Sequence, residues 1–191
     1  MKVEIEIKLR LVRKLAEVHR ELSNLGFRVR KRRVFESNIL FDNVKRSLRK
    51  HGKLLRVRQV GRHGLLTFKG PSEQGRYKKR WETETPLHDG DAMTAILEHI
   101  GYHAVFRYEK FRTEYAARVG GIVLLDETPI GNFLELEGSP RWIDRTARGL
   151  GFSTADYINR SYGYLYLAYC RERRRRPKDM VFRNHARVSG Q

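Results

Sequence analysis

The chain has 191 residues, 40% of them hydrophobic, a formal net charge of +18 and a single cysteine. That is enough apolar material for one core, and the lone Cys170 excludes an intramolecular disulfide framework and suits a reducing compartment. No apolar run approaches the roughly 20 residues of a membrane helix, and Met1 leads into charged alternation rather than an apolar leader, so a cytoplasmic protein without membrane association is expected. The positive balance calls for a polyanionic partner. Residues 171–191 hold eight Lys/Arg against Glu172 and Asp179, so +6 of the charge lies there and +12 remains on 1–170. The expected organisation is a globular domain over 1–170 and a basic, disordered tail over 171–191.

In chain order, Glu4-Ile5-Glu6-Ile7-Lys8-Leu9-Arg10 alternates as a strand, with Glu4, Glu6, Lys8 and Arg10 on one face. Leu11, Leu15, Val18, Leu22 and Leu25 recur at helical spacing, and Gly26-Phe27 ends that helix. Strands are predicted near 34–42, 54–60 and 65–69, the last two joined by Gly61-Arg62-His63-Gly64, and a basic connector with a short helical turn spans 43–53. A strand over 80–85 is followed by a helix opened at Asp89-Gly90-Asp91 and stopped at Gly101-Tyr102. Strands over 105–116, 122–126 and 133–137 come next. A third helix is capped by Ser139 with Pro140 at its first position and stops at Gly151-Phe152. A tyrosine-rich, partly helical stretch runs to Cys170, and disorder is expected beyond Pro177.

Three times an acidic strand (Glu4/Glu6, Glu82/Glu84, Glu135/Glu137) feeds a helix ending in Leu/Ile-Gly-Phe/Tyr, which suggests related places in a closed sheet. Period two also aligns Arg56 with Arg58, Thr67 with Lys69, Arg80 with Glu82 and Glu84, Lys110 with Arg112 and Glu114, and Leu124 with Asp126. If helices cover the apolar faces, these charges point into a barrel. Such an interior is costly unless it takes ligands of both signs. Magnesium with a nucleoside triphosphate or polyphosphate meets that need, because carboxylates and phosphates are the usual donors to this hard ion. The seven histidines show no metal-ligand or triad spacing. A nucleic-acid-binding module is the competing class, motivated by the charge and the Arg173–Arg176 run, but seven aligned carboxylates would repel nucleic acid.

The set Glu4-x-Glu6-x-Lys8, Leu-Arg56-Val-Arg58, Thr-Phe-Lys69-Gly, Arg80-x-Glu82-x-Glu84, Lys110-Phe-Arg112, Leu-Asp126 and Gly131-x-Phe-Leu-Glu135-x-Glu137 resembles, in order, the CYTH family of triphosphate tunnel metalloenzymes. The resemblance covers roughly residues 1–165. It implies an α+β fold built on a closed eight-stranded antiparallel β-barrel, the triphosphate tunnel, with flanking helices. By the same resemblance Lys8, Arg56, Arg58, Lys69, Arg80, Lys110 and Arg112 would clamp the triphosphate. Glu4, Glu6, Glu82, Glu84, Asp126, Glu135 and Glu137 would bind Mg²⁺ or Mn²⁺, and Lys8, Glu4 and Glu6 would be catalytic. The implied activity is that of a class IV adenylyl cyclase, ATP to cyclic AMP and pyrophosphate. The alternative is a triphosphatase acting on inorganic, thiamine or nucleoside triphosphate. Phe35, Phe41 and Tyr77 are candidates to stack a base. Family members often dimerise, so a homodimer is among the expected states, as is weak contact of the basic tail with nucleic acid.

Overall fold

In the computed structural model, which describes residues 2–183, the alternating segments form eight strands. They are β1 (Lys2–Leu11), β2 (Arg28–Asp42), β3 (Leu54–Val60), β4 (His63–Lys69), β5 (Lys78–Leu87), β6 (His103–Ala116), β7 (Ile122–Thr128) and β8 (Gly131–Glu137). All pair antiparallel and close into a barrel in the order β1-β5-β4-β3-β2-β6-β7-β8. Five helices, α1 (Leu15–Asn24), α2 (Ser47–Lys50), α3 (Gly90–His99), α4 (Pro140–Gly149) and α5 (Tyr162–Glu172), flank it.

The helices lie where the alternation requires. Ile7 and Leu9 of β1, Leu134 and Leu136 of β8, and Val123 and Leu125 of β7 turn outward and pack against Val18 and Leu22 of α1 and Trp142, Ile143 and Ala147 of α4. On the far side, Leu97 of α3 packs with Val57 of β3 and Phe41 of β2. Burying each such side chain stabilises by about 1.5–3 kcal/mol. The outer faces thus supply the core, and the charged faces are left inside.

The repeated Leu/Ile-Gly-Phe/Tyr ends are three copies of one helix stop. Phe27, Tyr102 and Phe152 each donate a backbone N–H to the carbonyl five residues back, on Leu22, Leu97 and Ala147. The intervening Gly26, Gly101 and Gly151 take φ of +84°, +87° and +79°, which only glycine adopts without strain. The three acidic strands that precede these helices are neighbours, in the order β5-β1-β8.

Two expectations need correction. β2 begins at Arg28 rather than near 34, because register shifts between Val29, Lys31 and Val34 let an almost wholly basic stretch pair with β6. The tail is not disordered from 171 onward: α5 runs to Glu172, and Met180, 1% exposed, forms a parallel bridge with Tyr108 of β6. Met180 N–H donates to Arg107 O, Glu109 N–H donates to Met180 O, and the carboxylates of Asp179 and Glu109 accept from the backbone N–H groups of Arg107 and Phe182. The expectation of disorder over 184–191 lies outside the described residues. Among the described residues no helix is long and apolar enough to cross a membrane.

Candidate active site

The barrel encloses a cavity of about 570 Å³. Thirteen of the fourteen residues expected to bind metal or triphosphate line it: Glu4, Glu6, Lys8, Arg56, Arg58, Lys69, Arg80, Glu82, Glu84, Lys110, Arg112, Glu135 and Glu137. The fourteenth, Asp126, sits behind that lining, fully buried. It accepts hydrogen bonds from Lys110 Nζ at 2.9 Å, from the Arg112 fork at 2.6 and 2.7 Å, and from Tyr162 Oη at 2.7 Å. In this structure Asp126 orients two cations of the wall.

The lining is sorted by charge because the strands are. On β5, β1 and β8 the register sets Glu4 opposite Arg80, Glu6 opposite Lys78 and Glu137, and Lys8 opposite Glu135. β3 carries Arg56 and Arg58, and β6 carries Lys110 and Arg112. Carboxylate oxygens of Glu4, Glu6 and Glu137 come within 4.8 Å of one another, a set of hard donors matched to Mg²⁺ or Mn²⁺. The remaining carboxylates are engaged by cations or hydroxyls. Lys69 reaches Glu82 at 3.1 Å, Thr67 donates to Glu84 at 2.6 Å, and Glu135 pairs with Lys8 at 2.8 Å and with Arg112.

The electrostatics of the three clustered carboxylates favour a cation. Glu137 makes no ion pair among the described residues. Burial, then repulsion from Glu4 and Glu135, pushes its carboxyl up to about 7. Burial and the Glu6 charge also raise Glu4, despite Lys69 at 2.5 Å. Glu6 goes the other way: burial would raise it, but Lys8 and Lys78 hold it well below the usual range. A divalent ion between the three would relieve the repulsion that keeps Glu137 protonated. The residues fit the metal.

The opposite wall fits a polyanion. There the buried Nε atoms of Arg56 and Arg58 on β3 have no hydrogen-bond partner; on β5, beside β1, the Nε of Arg80 lies 3.9 Å from Glu4 and has none either. Burial and the adjacent Arg56 lower the Arg58 pKa, and Glu36 offsets this only in part. A buried guanidinium with an unused N–H is expensive unless an acceptor arrives. Phosphate oxygens are such acceptors.

Sequence reasoning missed Lys78, Glu36, Asn38 and Tyr108. Lys78 is buried and donates to Glu6 at 2.5 Å. Glu36 and Asn38 are buried on β2, and Tyr108 accepts from Arg56 at 3.2 Å. Period two counted back from Arg80 reaches Lys78, and within the predicted 34–42 strand it puts Glu36 and Asn38 on one face. Phe35, Phe41 and Tyr77 do not line the cavity. Phe35 packs on Phe111, Phe41 lies in the core under α3, and Tyr77 donates to Asp144. Tyr108 and Tyr162 are the aromatic rings of the lining, with Lys8 and Lys110 about 5 Å from the Tyr162 ring centre, at 5.2 and 5.3 Å.

The CYTH domain pattern matches residues 2–162, the whole barrel and the start of α5. The chain belongs to the CYTH family. A Methanocaldococcus jannaschii relative, provisionally named an adenylate cyclase, is 31% identical to this CYTH chain over 137 residues, 72% of this chain and 77% of its own. Solved structures share the fold. One from Pyrococcus horikoshii, PH1819, is 25% identical with a TM-score of 0.74, covering 87% of this chain and 99% of its own. The Hippeastrum protein HpAC1, described as having a dominant triphosphatase activity, is 20% identical with a TM-score of 0.67, covering 87% and 96%.

Proposed function

We propose that this CYTH protein is a divalent-metal-dependent enzyme acting on a triphosphate, with conversion of ATP to cyclic AMP and pyrophosphate as its reaction. The observation that carries the reading is the segregated tunnel. Three carboxylates with mutually close oxygens lie on β1 and β8, and buried arginines with unused N–H groups lie on β3 and β5. Neither half is satisfied alone, and a metal–triphosphate complex satisfies both. CYTH proteins are in general metal-dependent enzymes of triphosphates, and the M. jannaschii relative carries a provisional cyclase name.

Arg56, Arg58, Arg80, Lys69, Lys110 and Arg112 would grip the phosphate oxygens, the arginine forks fixing orientation and offsetting charge that develops on the leaving phosphates. Glu4, Glu6 and Glu137 would hold Mg²⁺ or Mn²⁺, which when bound polarises the attacked phosphoryl group. Lys8 is buried, paired with Glu135 at 2.8 Å and Glu6 at 3.2 Å, and its pKa is raised because those carboxylates outweigh burial. It therefore stays charged and donates to phosphate rather than serving as a base. In cyclisation the ribose 3′-OH attacks the α-phosphorus, whereas in hydrolysis water attacks a terminal phosphorus, and the position of the triphosphate along the clamp selects between them.

Hydrolysis of the triphosphate is the second reading, favoured by the activity described for the Hippeastrum protein of the same fold. Product analysis decides. Purified protein with ATP, and separately with inorganic tripolyphosphate, is assayed with Mg²⁺ or Mn²⁺ beside Glu4→Ala/Glu6→Ala. Cyclic AMP and pyrophosphate, absent from the variant, are expected. Orthophosphate with ADP from ATP, or with pyrophosphate from tripolyphosphate, and no cyclic AMP, would replace the cyclase reading with the triphosphatase one.

A further inference from the structure

One buried carboxylate of the tunnel belongs neither to the metal cluster nor to a closed ion pair. β2 lies four strands from β1 in either direction around the barrel, so Glu36 stands on the wall opposite Glu4 and Glu6. Its neighbours are the phosphate-gripping cations: Lys110 Nζ lies 3.6 Å from Oε2, and Arg58 Nη1 lies 3.8 Å from Oε1. Burial alone would raise its carboxyl, but Lys110, Arg112, Arg58 and Arg56 bring it down to about 2, so it is a full negative charge. Yet Oε2 accepts no hydrogen bond. Apart from Glu137, the other carboxylates of the tunnel each have at least one closed contact, as between Lys69 and Glu4 at 2.5 Å or Lys8 and Glu135 at 2.8 Å. Two residues along the same face, Asn38 is fully buried with both amide atoms unpartnered. This strip of β2 carries charge and polar atoms against the clamp without being bonded to it.

We propose that Glu36 is a positioning residue: a resident counter-anion that neutralises the basic wall before substrate arrives and keeps phosphate groups off β2. The inference rests on the triphosphate reading given above. Contacts of 3.6–3.8 Å offset charge but do not lock a side chain in place, so Arg58 is free to turn toward phosphate oxygens at the tunnel axis, while Lys110 is held by Asp126 at 2.9 Å with Glu36 only offsetting its charge. An anion that sinks deeper meets the Glu36 charge and is repelled toward the metal side. Without that charge the wall becomes an indiscriminate anion trap, which holds products and misplaced phosphates as well as substrate.

The test is calorimetric binding of inorganic tripolyphosphate to the full chain without metal, joined to steady-state kinetics with ATP. Glu36→Gln is expected to bind tripolyphosphate about tenfold tighter, to be inhibited more strongly by pyrophosphate, and to lower kcat and KM together. A merely structural role would weaken binding along with stability. Folded Glu36→Gln that binds tripolyphosphate no tighter overturns the proposal. Should that variant fail to fold, Asn38→Asp carries the test with the opposite sign: a second charge on the strip is expected to weaken tripolyphosphate binding about tenfold, and unchanged affinity overturns the role. Wild-type protein that fails to bind tripolyphosphate at all would instead overturn the triphosphate reading, and this inference with it.

Discussion

Glu137 is pulled in two directions by its surroundings. Desolvation and the charges of Glu4 and Glu135 push its carboxyl up to about 7 in the metal-free tunnel, whereas metal binding requires it ionised. In the unfolded chain it ionises near the ordinary carboxylate value of about 4.3. Between that value and about 7 the unfolded state has released the proton that the folded state keeps, so rising pH favours unfolding over this window and the cost is constant above it. Thermal unfolding of metal-free protein is therefore expected to show Glu137→Gln gaining about 1–3 kcal/mol on wild type between pH 5 and 8, with added Mg²⁺ erasing the gain. A constant difference across that range would contradict the assignment. Residues of this kind were legible in the sequence only as members of a pattern. Period two found Glu4, Arg58 and Glu137 because their neighbours repeat the theme. It passed over Lys78 because the predicted strand began at Arg80, Glu36 because it is the lone acid on its part of a strand, and Asn38 because an uncharged amide carries no signal until its burial is known.

At the scale of elements, the segment from Lys178 to Phe182 works as a strap. β6 pairs with β7 only from Phe111 onward, and Met180 occupies the place beside Tyr108 that a strand would otherwise fill. Tyr108 in turn accepts from Arg56 and stacks on Phe106, so the strap props up one member of the clamp. Ending the chain at Pro177 removes a buried methionine worth about 1.5–3 kcal/mol, which corresponds to a melting temperature lower by about 3–12 °C. Turnover is expected to fall severalfold with it, and full stability with full turnover would contradict the strap. The run Arg173–Arg176 hid this element. Charge runs mark solvated tails in general, and the contrary signal was only three apolar residues, Met180, Val181 and Phe182, in a polar stretch. The helix stops, by contrast, were readable from three glycines, because a left-handed φ followed by a Phe or Tyr packed against the core is a local requirement that tertiary context does not alter.

At the scale of the whole molecule, closure of the sheet converts linear alternation into a sorted interior. The sequence carried which face of each strand was charged, and hence that the charges point inward once helices cover the apolar faces. It did not carry strand order. That β5, β1 and β8 lie together, with the basic strands β3 and β6 flanking β2, follows from the pairing that closes the barrel. This order sets the clustered carboxylates of β1 and β8 across the barrel from the basic strands β3 and β6; on the proposed reading the first side takes the metal and the second the polyanion, and that separation is the central claim. Titration calorimetry of Mn²⁺ and of inorganic tripolyphosphate, each alone, into Glu4→Gln/Glu6→Gln and Arg56→Met/Arg58→Met tests it most directly. The acidic-half variant is expected to lose Mn²⁺ affinity at least tenfold while binding tripolyphosphate no more weakly than wild type. The basic-wall variant should lose tripolyphosphate affinity about a hundredfold while keeping Mn²⁺. Loss of both ligands in both variants would contradict a divided tunnel.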